Sequence, residues 1–138
     1  MNQWFVDTFY LLALLHPRDE AHERVANKSA AFRGQFVTTQ WVLAEVADGC
    51  SDPRDRTRVA DFLEIFSGQS NVHVVEASDE WFWRGMQLFR DRPDKEWSLT
   101  DCISFLVMEE HGLHEALTTD HHFAQAGFTA LLKDEATP

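Results

Sequence analysis

The chain reads as an α/β protein built on a parallel sheet with helices on both faces, and three observations carry that reading. Strand-like runs alternate with helical runs almost throughout, the pattern of βαβ units. The first strand-like run ends on a carboxylate, Asp7, just where a helix should begin. Late in the chain, the helical stretch from Leu99 to His111 is apolar nearly all round, so it lies in the middle of a molecule rather than on its surface.

The elements follow in order. Trp4 to Val6 is predicted as a buried strand, and Thr8 to Leu15 as a short buried helix stopped near His16, because the residue before Pro17 is pushed out of the α region. A second helix runs from Asp19 to about Phe32, with Ala21, Val25 and Ala26 inward and Gly34 as its stop. Gln35 to Thr38 is a strand. Trp41 to about Cys50 is a helix whose stripe Trp41, Val42, Glu45 and Val46 keeps helical spacing. Ser51-Asp52-Pro53 breaks it, and Arg54 to Ser67 forms the next helix on Val59, Phe62, Leu63 and Phe66.

Asn71 to Glu76 is a strand, and Ser78 caps a helix reaching about Arg90. After a polar loop around Pro93 comes the apolar helix, closed by Gly112. Ala116 to Thr118 is a strand, Asp120 to Ala126 a short helix ended by Gly127, and Phe128 to Leu132 a last strand. No repeat or linker interrupts the series, so residues 1–133 are expected to form one domain and 134–138 a disordered tail.

Composition bounds the function. Hydrophobic residues make up 44% of the 138, enough for a sizeable core, and no apolar run approaches the roughly 18 residues that span a bilayer. The N-terminus lacks the basic region and cleavage site of a signal peptide, so a cytoplasmic protein without membrane attachment is expected. Cys50 and Cys102 match no zinc-ligand spacing and are expected to be reduced, buried and inert. With 12 Lys and Arg against 23 Asp and Glu, the formal charge is −11, which opposes binding of polyanions through the average field. A nucleic-acid substrate therefore requires a divalent metal, a local arginine cluster or a basic partner. Arg54, Arg56 and Arg58 form one such cluster, and Arg84, Arg90, Arg92 and Lys95 another; each can equally be a solvated helix face paired with nearby acids.

Four acids stand where burial or strand ends are expected. Asp7 either caps the helix after the first strand or sits in the crevice outside the strand ends. Glu45 lies along an apolar stripe, where an ionised carboxylate is almost never buried unpaired; the alternative is a Glu at the stripe's edge reaching water. Asp101 follows Ser98 by three, a capping-box spacing, and heads the apolar helix. Asp120 ends its strand as Asp7 ends the first, or serves as an N-cap. His121 and His122 beside it lack a third His or Cys at ligand spacing and are read as helix-face residues. The α/β reading sends all four acids to one end of one sheet. Carboxylates so gathered repel and their pKa values rise unless a cation is present, and Mg²⁺ or Mn²⁺ is the hard ion that suits oxygen ligands. Such a site suits attack of a metal-activated water on a phosphodiester.

The order Val6-Asp7-Thr8, Leu43-Ala44-Glu45-Val46, Ser98-Leu99-Thr100-Asp101-Cys102, then Leu117-Thr118-Thr119-Asp120-His121-His122-Phe123 with Ala126-Gly127-Phe128, resembles the PIN-domain ribonucleases, and within them the VapC-type toxins. The likeness spans nearly the whole chain and is most specific in its last block. It implies a Rossmann-like three-layer fold with strand order 3-2-1-4-5. It implies one or two Mg²⁺ or Mn²⁺ ions on Asp7, Glu45, Asp101 and Asp120, with Thr8 and Thr118 orienting carboxylates or water. It further implies cleavage of single-stranded or looped RNA, a homodimer, and a cognate antitoxin whose tail presents an arginine to the acidic groove.

The expectation is thus a metal-dependent endoribonuclease of a toxin–antitoxin pair. Two alternatives remain at this stage: a PIN nuclease of RNA processing, and a non-catalytic acidic module that docks a basic peptide. The chain lacks an Asp-x-Asp-x-Thr phosphatase motif, a phosphate-binding Gly-x-x-x-x-Gly-Lys-[Ser/Thr] loop and the dinucleotide motif Gly-x-Gly-x-x-Gly. Five tryptophans exceed what such a core needs. Trp83 cannot face the same way as Trp81, so one of the five lies at a dimer or antitoxin interface unless all of them fill the core.

Overall fold

β1 (Gln3–Val6) is the middle strand of the sheet, and its sequence shows why: Phe5 and Val6 have no exposed surface. A strand flanked on both sides and covered on both faces has no place for polar side chains. The computed structural model describes residues 2–132. The order along the chain is β1, α1 (Thr8–Leu15), α2 (His22–Ala31), β2 (Gln35–Thr39), α3 (Gln40–Gly49), α4 (Arg56–Ser67), β3 (Val72–Val75), α5 (Asp79–Asp91), α6 (Leu99–Glu110), β4 (Glu115–Leu117), α7 (His121–Gln125) and β5 (Thr129–Ala130).

The five strands make one sheet in the order β3-β2-β1-β4-β5, and every pairing is parallel. Phe5 pairs with Val37 on one side and with Ala116 on the other. This is the α/β architecture and the 3-2-1-4-5 order expected from the sequence. Parallel strands need crossovers; here α3 starts directly at the end of β2, and α6 carries the chain back to the start of β4. The first turns of α3 and α6 therefore lie near the edge of the sheet where the strands end.

α6 is the buried helix that its composition predicts: Asp101 through Phe105, with Val107 and Met108, are all buried. Its C-terminus is closed by Gly112, whose φ of 67° is left-handed. Its neighbour α5 approaches closely because Gly85 carries no side chain at the contact with Ile103 and Leu99. Both cysteines are free and buried, as expected.

Several boundaries differ. α2 begins at His22 rather than Asp19, because the Asp19 carboxylate accepts the Ala21 amide (2.8 Å) and holds a turn ahead of the helix. It ends at Ala31, short of Gly34. The last strand has only two residues, Thr129–Ala130, instead of five. Trp81 and Trp97 belong to the core, whereas Trp83 is 63% exposed and meets Phe82 edge-on. No helix among the described residues is long and apolar enough to cross a membrane. The tail after Lys133, expected to be disordered, lies outside the described residues.

Candidate active site

Asp7 stands at the N-cap of α1, yet its carboxylate makes no helix-capping hydrogen bond. It is 6% exposed and accepts instead from the Thr118 hydroxyl at the end of β4 (2.8 Å). Capping alone therefore does not explain this residue. Burial is the main force on it and pushes its pKa up to about 7. The Thr118 hydroxyl and the Thr8 amide pull it back down, while the charges of Asp101 and Asp120 raise it further. Those contributions place three aspartates within electrostatic reach of one another.

Asp101 is the third residue of α6, and the predicted capping box is present in both directions. Ser98 Oγ accepts the Asp101 amide (3.0 Å) and Asp101 Oδ2 accepts the Ser98 amide (3.1 Å). The box holds the carboxylate at the rim of the sheet, and burial followed by the neighbouring Asp120 charge raises its pKa. Asp120 caps α7, accepting the His122 amide on Oδ1 (2.9 Å), while its own amide donates to Thr118 Oγ1 (3.0 Å). The Thr118 hydroxyl thus ties Asp7 to the Asp120 backbone.

Glu45 takes the second of its two expected settings, at the edge of the stripe and open to water. It is exposed rather than held in an apolar stripe, since the buried positions of α3 are Val42 and Val46 and Trp41 is only partly covered. Its carboxylate nevertheless accepts the hydroxyl of Thr8, the neighbour of Asp7, at 2.6 Å. That bond brings the fourth acid to the same rim from the solvent side.

His122 departs from its reading as a helix-face residue, and His121 does not. Its Nδ1 lies 3.0 Å from Asp101 Oδ2 and 3.4 Å from Asp120 Oδ1, with only 18% of the side chain exposed. With Nδ1 protonated it donates to Asp101 and lowers that group's pKa, against the effect of burial. His121 does point outward, 61% exposed, 3.7 Å from Asp120. Sequence spacing gave no warning, because Asp101 and His122 are 21 residues apart and meet only when α7 folds against α6.

Asp120, His121 and His122 each bring a donor atom within 4.8 Å of the others. His122 Nδ1 is already engaged by Asp101, which leaves carboxylate oxygens, threonine hydroxyls, His122 Nε2 and the exposed His121 ring as the possible donors. Carboxylate and hydroxyl oxygens are the donors of a hard divalent cation such as Mg²⁺ or Mn²⁺, and a carboxylate raised first by burial and further by its like-charged neighbours is the electrostatic deficit that such an ion offsets. The residues fit the group.

The arginine clusters supply no such offset here. Arg54 pairs with Asp52 (2.9 Å), Arg84 with Glu110 (3.0 Å) and Arg92 with Asp94 (3.0 Å), and Arg58 lies 3.5 Å from Asp55. They are exposed pairs, in the turn before α4, in the loop after α5 and between α5 and α6, and are worth little individually.

The structural neighbours of the chain include three that bear on its fold. The VapC20 toxin of Mycobacterium tuberculosis, which cleaves the sarcin–ricin loop, superposes with a TM-score of 0.81 at 23% identity, over 91% of this chain and 95% of that one. VapBC2 of Rickettsia felis, solved on a fragment of its promoter DNA, gives 0.66 at 13% identity over 93% and 96%. A toxin–antitoxin complex from Klebsiella pneumoniae gives 0.59 at 20% identity over 86% and 87%. No curated protein sequence matches the chain. The family model of the PIN domain matches residues 4–129, a span that includes every acid of the site. On that match, and with the parallel 3-2-1-4-5 sheet beneath it, the chain belongs to the PIN-domain family.

Proposed function

We propose that this protein is a Mg²⁺- or Mn²⁺-dependent endoribonuclease and acts as the toxin of a toxin–antitoxin pair. The observation that carries the reading is Asp7, buried at the end of the central strand and raised to about 7 beside two further aspartates. A fold has little reason to gather such groups for stability alone, because each unpaired buried charge costs free energy. PIN-domain proteins are nucleases, and the structural neighbours are toxins of this kind.

In this reading Asp7, Glu45, Asp101 and Asp120 hold the metal. Bound there, the ion supplies Lewis acidity, which favours ionisation of an attacking water and screens charge developing on the phosphate. The chain's own contribution is orientation. Thr118 fixes Asp7, the Ser98 amide and His122 fix Asp101, the first turn of α7 fixes Asp120, and Thr8 fixes Glu45. Glu45 faces solvent and Asp120 is partly open, so RNA approaches from that side, with products bearing 5′-phosphate and 3′-hydroxyl ends. The partners of this reading are a second copy of the chain and a cognate antitoxin. A protein of charge −11 suits a basic, arginine-bearing tail laid into the acidic rim.

The test is cleavage of single-stranded and stem-loop RNA with Mn²⁺, comparing wild type with Asp7→Asn and Asp101→Asn at matched folding by circular dichroism. Both variants should lose activity by about a thousandfold or more, the scale expected when a metal's ligand field is broken. Wild-type cleavage by either variant would remove the acids from the mechanism.

A further inference from the structure

A cavity of about 540 Å³ opens beside the acidic rim, lined by Phe9, Asp19, Glu20, Ala21, Arg24 and Thr119. Its position is set by the sequence neighbours of the site. Phe9 follows Asp7 and Thr8 on α1, and Thr119 lies between Thr118 and Asp120. The opposite wall is the turn before α2 and the first turn of that helix. Its volume is within the usual range of small-ligand sites and admits a base with its sugar.

The lining has a specific chemistry. Arg24 lines the cavity and its guanidinium makes no hydrogen bond among the described residues; Nε is sealed from solvent, so the two terminal nitrogens are the fork open to a ligand. Asp19 and Glu20 face the same space, so the cavity carries more negative than positive charge and repels a free phosphate. A neutral ring with acceptors on one edge and donors on another satisfies both kinds of group. Guanine is such a ring: its O6 and N7 match the fork of an arginine, and its N1–H and N2–H₂ match a carboxylate. Adenine offers no pair of adjacent acceptors for the fork. Phe9, partly exposed, supplies a face for the base to stack on, and unpaired RNA bases are recognised in this way.

We propose that this cavity receives an unpaired guanine of the RNA next to the scissile phosphate, and thereby sets the sequence preference of cleavage. The inference rests on the nuclease reading, since it places the cavity on the substrate's path. Arg24 donates to O6 and N7, Glu20 accepts from N1–H and N2–H₂, and Phe9 stacks. Asp19 is already held by the Ala21 amide and shapes the turn.

Binding of the four probes GMP, IMP, AMP and UMP to the protein in EDTA, followed by calorimetry and amide chemical shifts, tests the assignment without cleavage. All four carry the same phosphate, so differences report the base. GMP should bind at least about tenfold more tightly than AMP or UMP, with IMP between, because it lacks the N2 amine. Arg24→Lys keeps charge and stem but not the fork, and should lose the guanine preference. Glu20→Gln should close the gap between GMP and IMP, and Phe9→Ala should weaken every nucleotide. Equal binding of the four nucleotides, or an unchanged preference in Arg24→Lys, overturns the proposal. RNA cleavage by a wild type with no guanine preference overturns the cavity alone. A guanine preference in a protein that cleaves no RNA supports the cavity and overturns the nuclease.

Discussion

His122 acts through a single atom. Its Nδ1 reaches Asp101 Oδ2, the same oxygen that accepts the Ser98 amide, so two donors fix one carboxylate from two elements. Partners of this kind typically contribute about tenfold to a hundredfold to metal affinity or activity. His122→Ala should therefore lower Mn²⁺ affinity by about that factor, read by the paramagnetic resonance of free Mn²⁺, with Tm little changed. His122→Asn places an amide nitrogen near the lost Nδ1 and should recover part of the affinity. Mn²⁺ titrations of His122→Ala that overlay the wild type would leave the residue a packing role only. The same side chain marks the limit of reading from sequence. Asp7, Asp101 and Asp120 could each have been only a cap in sequence, and it is the order of strands and helices that sends all three to one end of the sheet. A histidine two places after Asp120 has many uses, and only the contact of α7 with α6 selects among them. Glu45 could be read either way: its neighbourhood in sequence allowed burial or the edge of the stripe, but the buried face of α3 is the one through Val42 and Val46, and Glu45 lies outside it.

α6 couples stability to the site. Its capping box satisfies amides at the helix start and at the same time aims Asp101. Ser98→Ala removes the hydroxyl that accepts the Asp101 amide, and should cost about 1 kcal/mol, measured by urea unfolding. The reciprocal bond from the Ser98 amide survives, so the loss of RNA cleavage should stay smaller than in Asp101→Asn. On the other side of the helix, a Cβ at Gly85 would stand 2.4 Å from Ile103 Cγ1, with Ile103 fully buried. Alanine in a helix gains about 1 kcal/mol over glycine, whereas overpacking a core costs typically 1–3 kcal/mol. Gly85→Ala should thus be destabilising on balance; a higher Tm would show that α5 and α6 have room to part. The elements themselves were readable where hydrophobic period and cap agree, as in α5 behind Ser78. They were misjudged where a side chain competes with the helix, as Asp19 does before α2, or where the strand is too short to carry a pattern, as in β5.

The whole molecule bears an electrostatic load that its metal should relieve, and the two can be separated by stability measurements. Asp7 has a folded-state pKa near 7 against an ordinary 3.8, so the folded protein holds this proton more tightly than the unfolded chain. That contribution to stability is fully present below pH 4, is lost as pH rises towards 7, and is gone above it. Three pKa units correspond to about 4 kcal/mol at most. Asp7→Asn has no proton to lose. In EDTA, the stability of Asp7→Asn relative to wild type should therefore climb between pH 5 and pH 8, whatever fixed cost the amide carries in its place. Asp101 and Asp120, whose charges reach Asp7, remain in both proteins, so the comparison differs in the Asp7 carboxyl alone. Saturating Mn²⁺ should reverse the trend at pH 8. A ligand at a hundred times its Kd adds about 2.7 kcal/mol to the form that binds it, and Asp7→Asn should gain far less. Thermal melts of the two proteins at pH 5 and 8, each with EDTA and with Mn²⁺, give the four differences required. A gap independent of pH in EDTA would mean that Asp7 ionises without strain, and the fold would then have no deficit for a cation to fill.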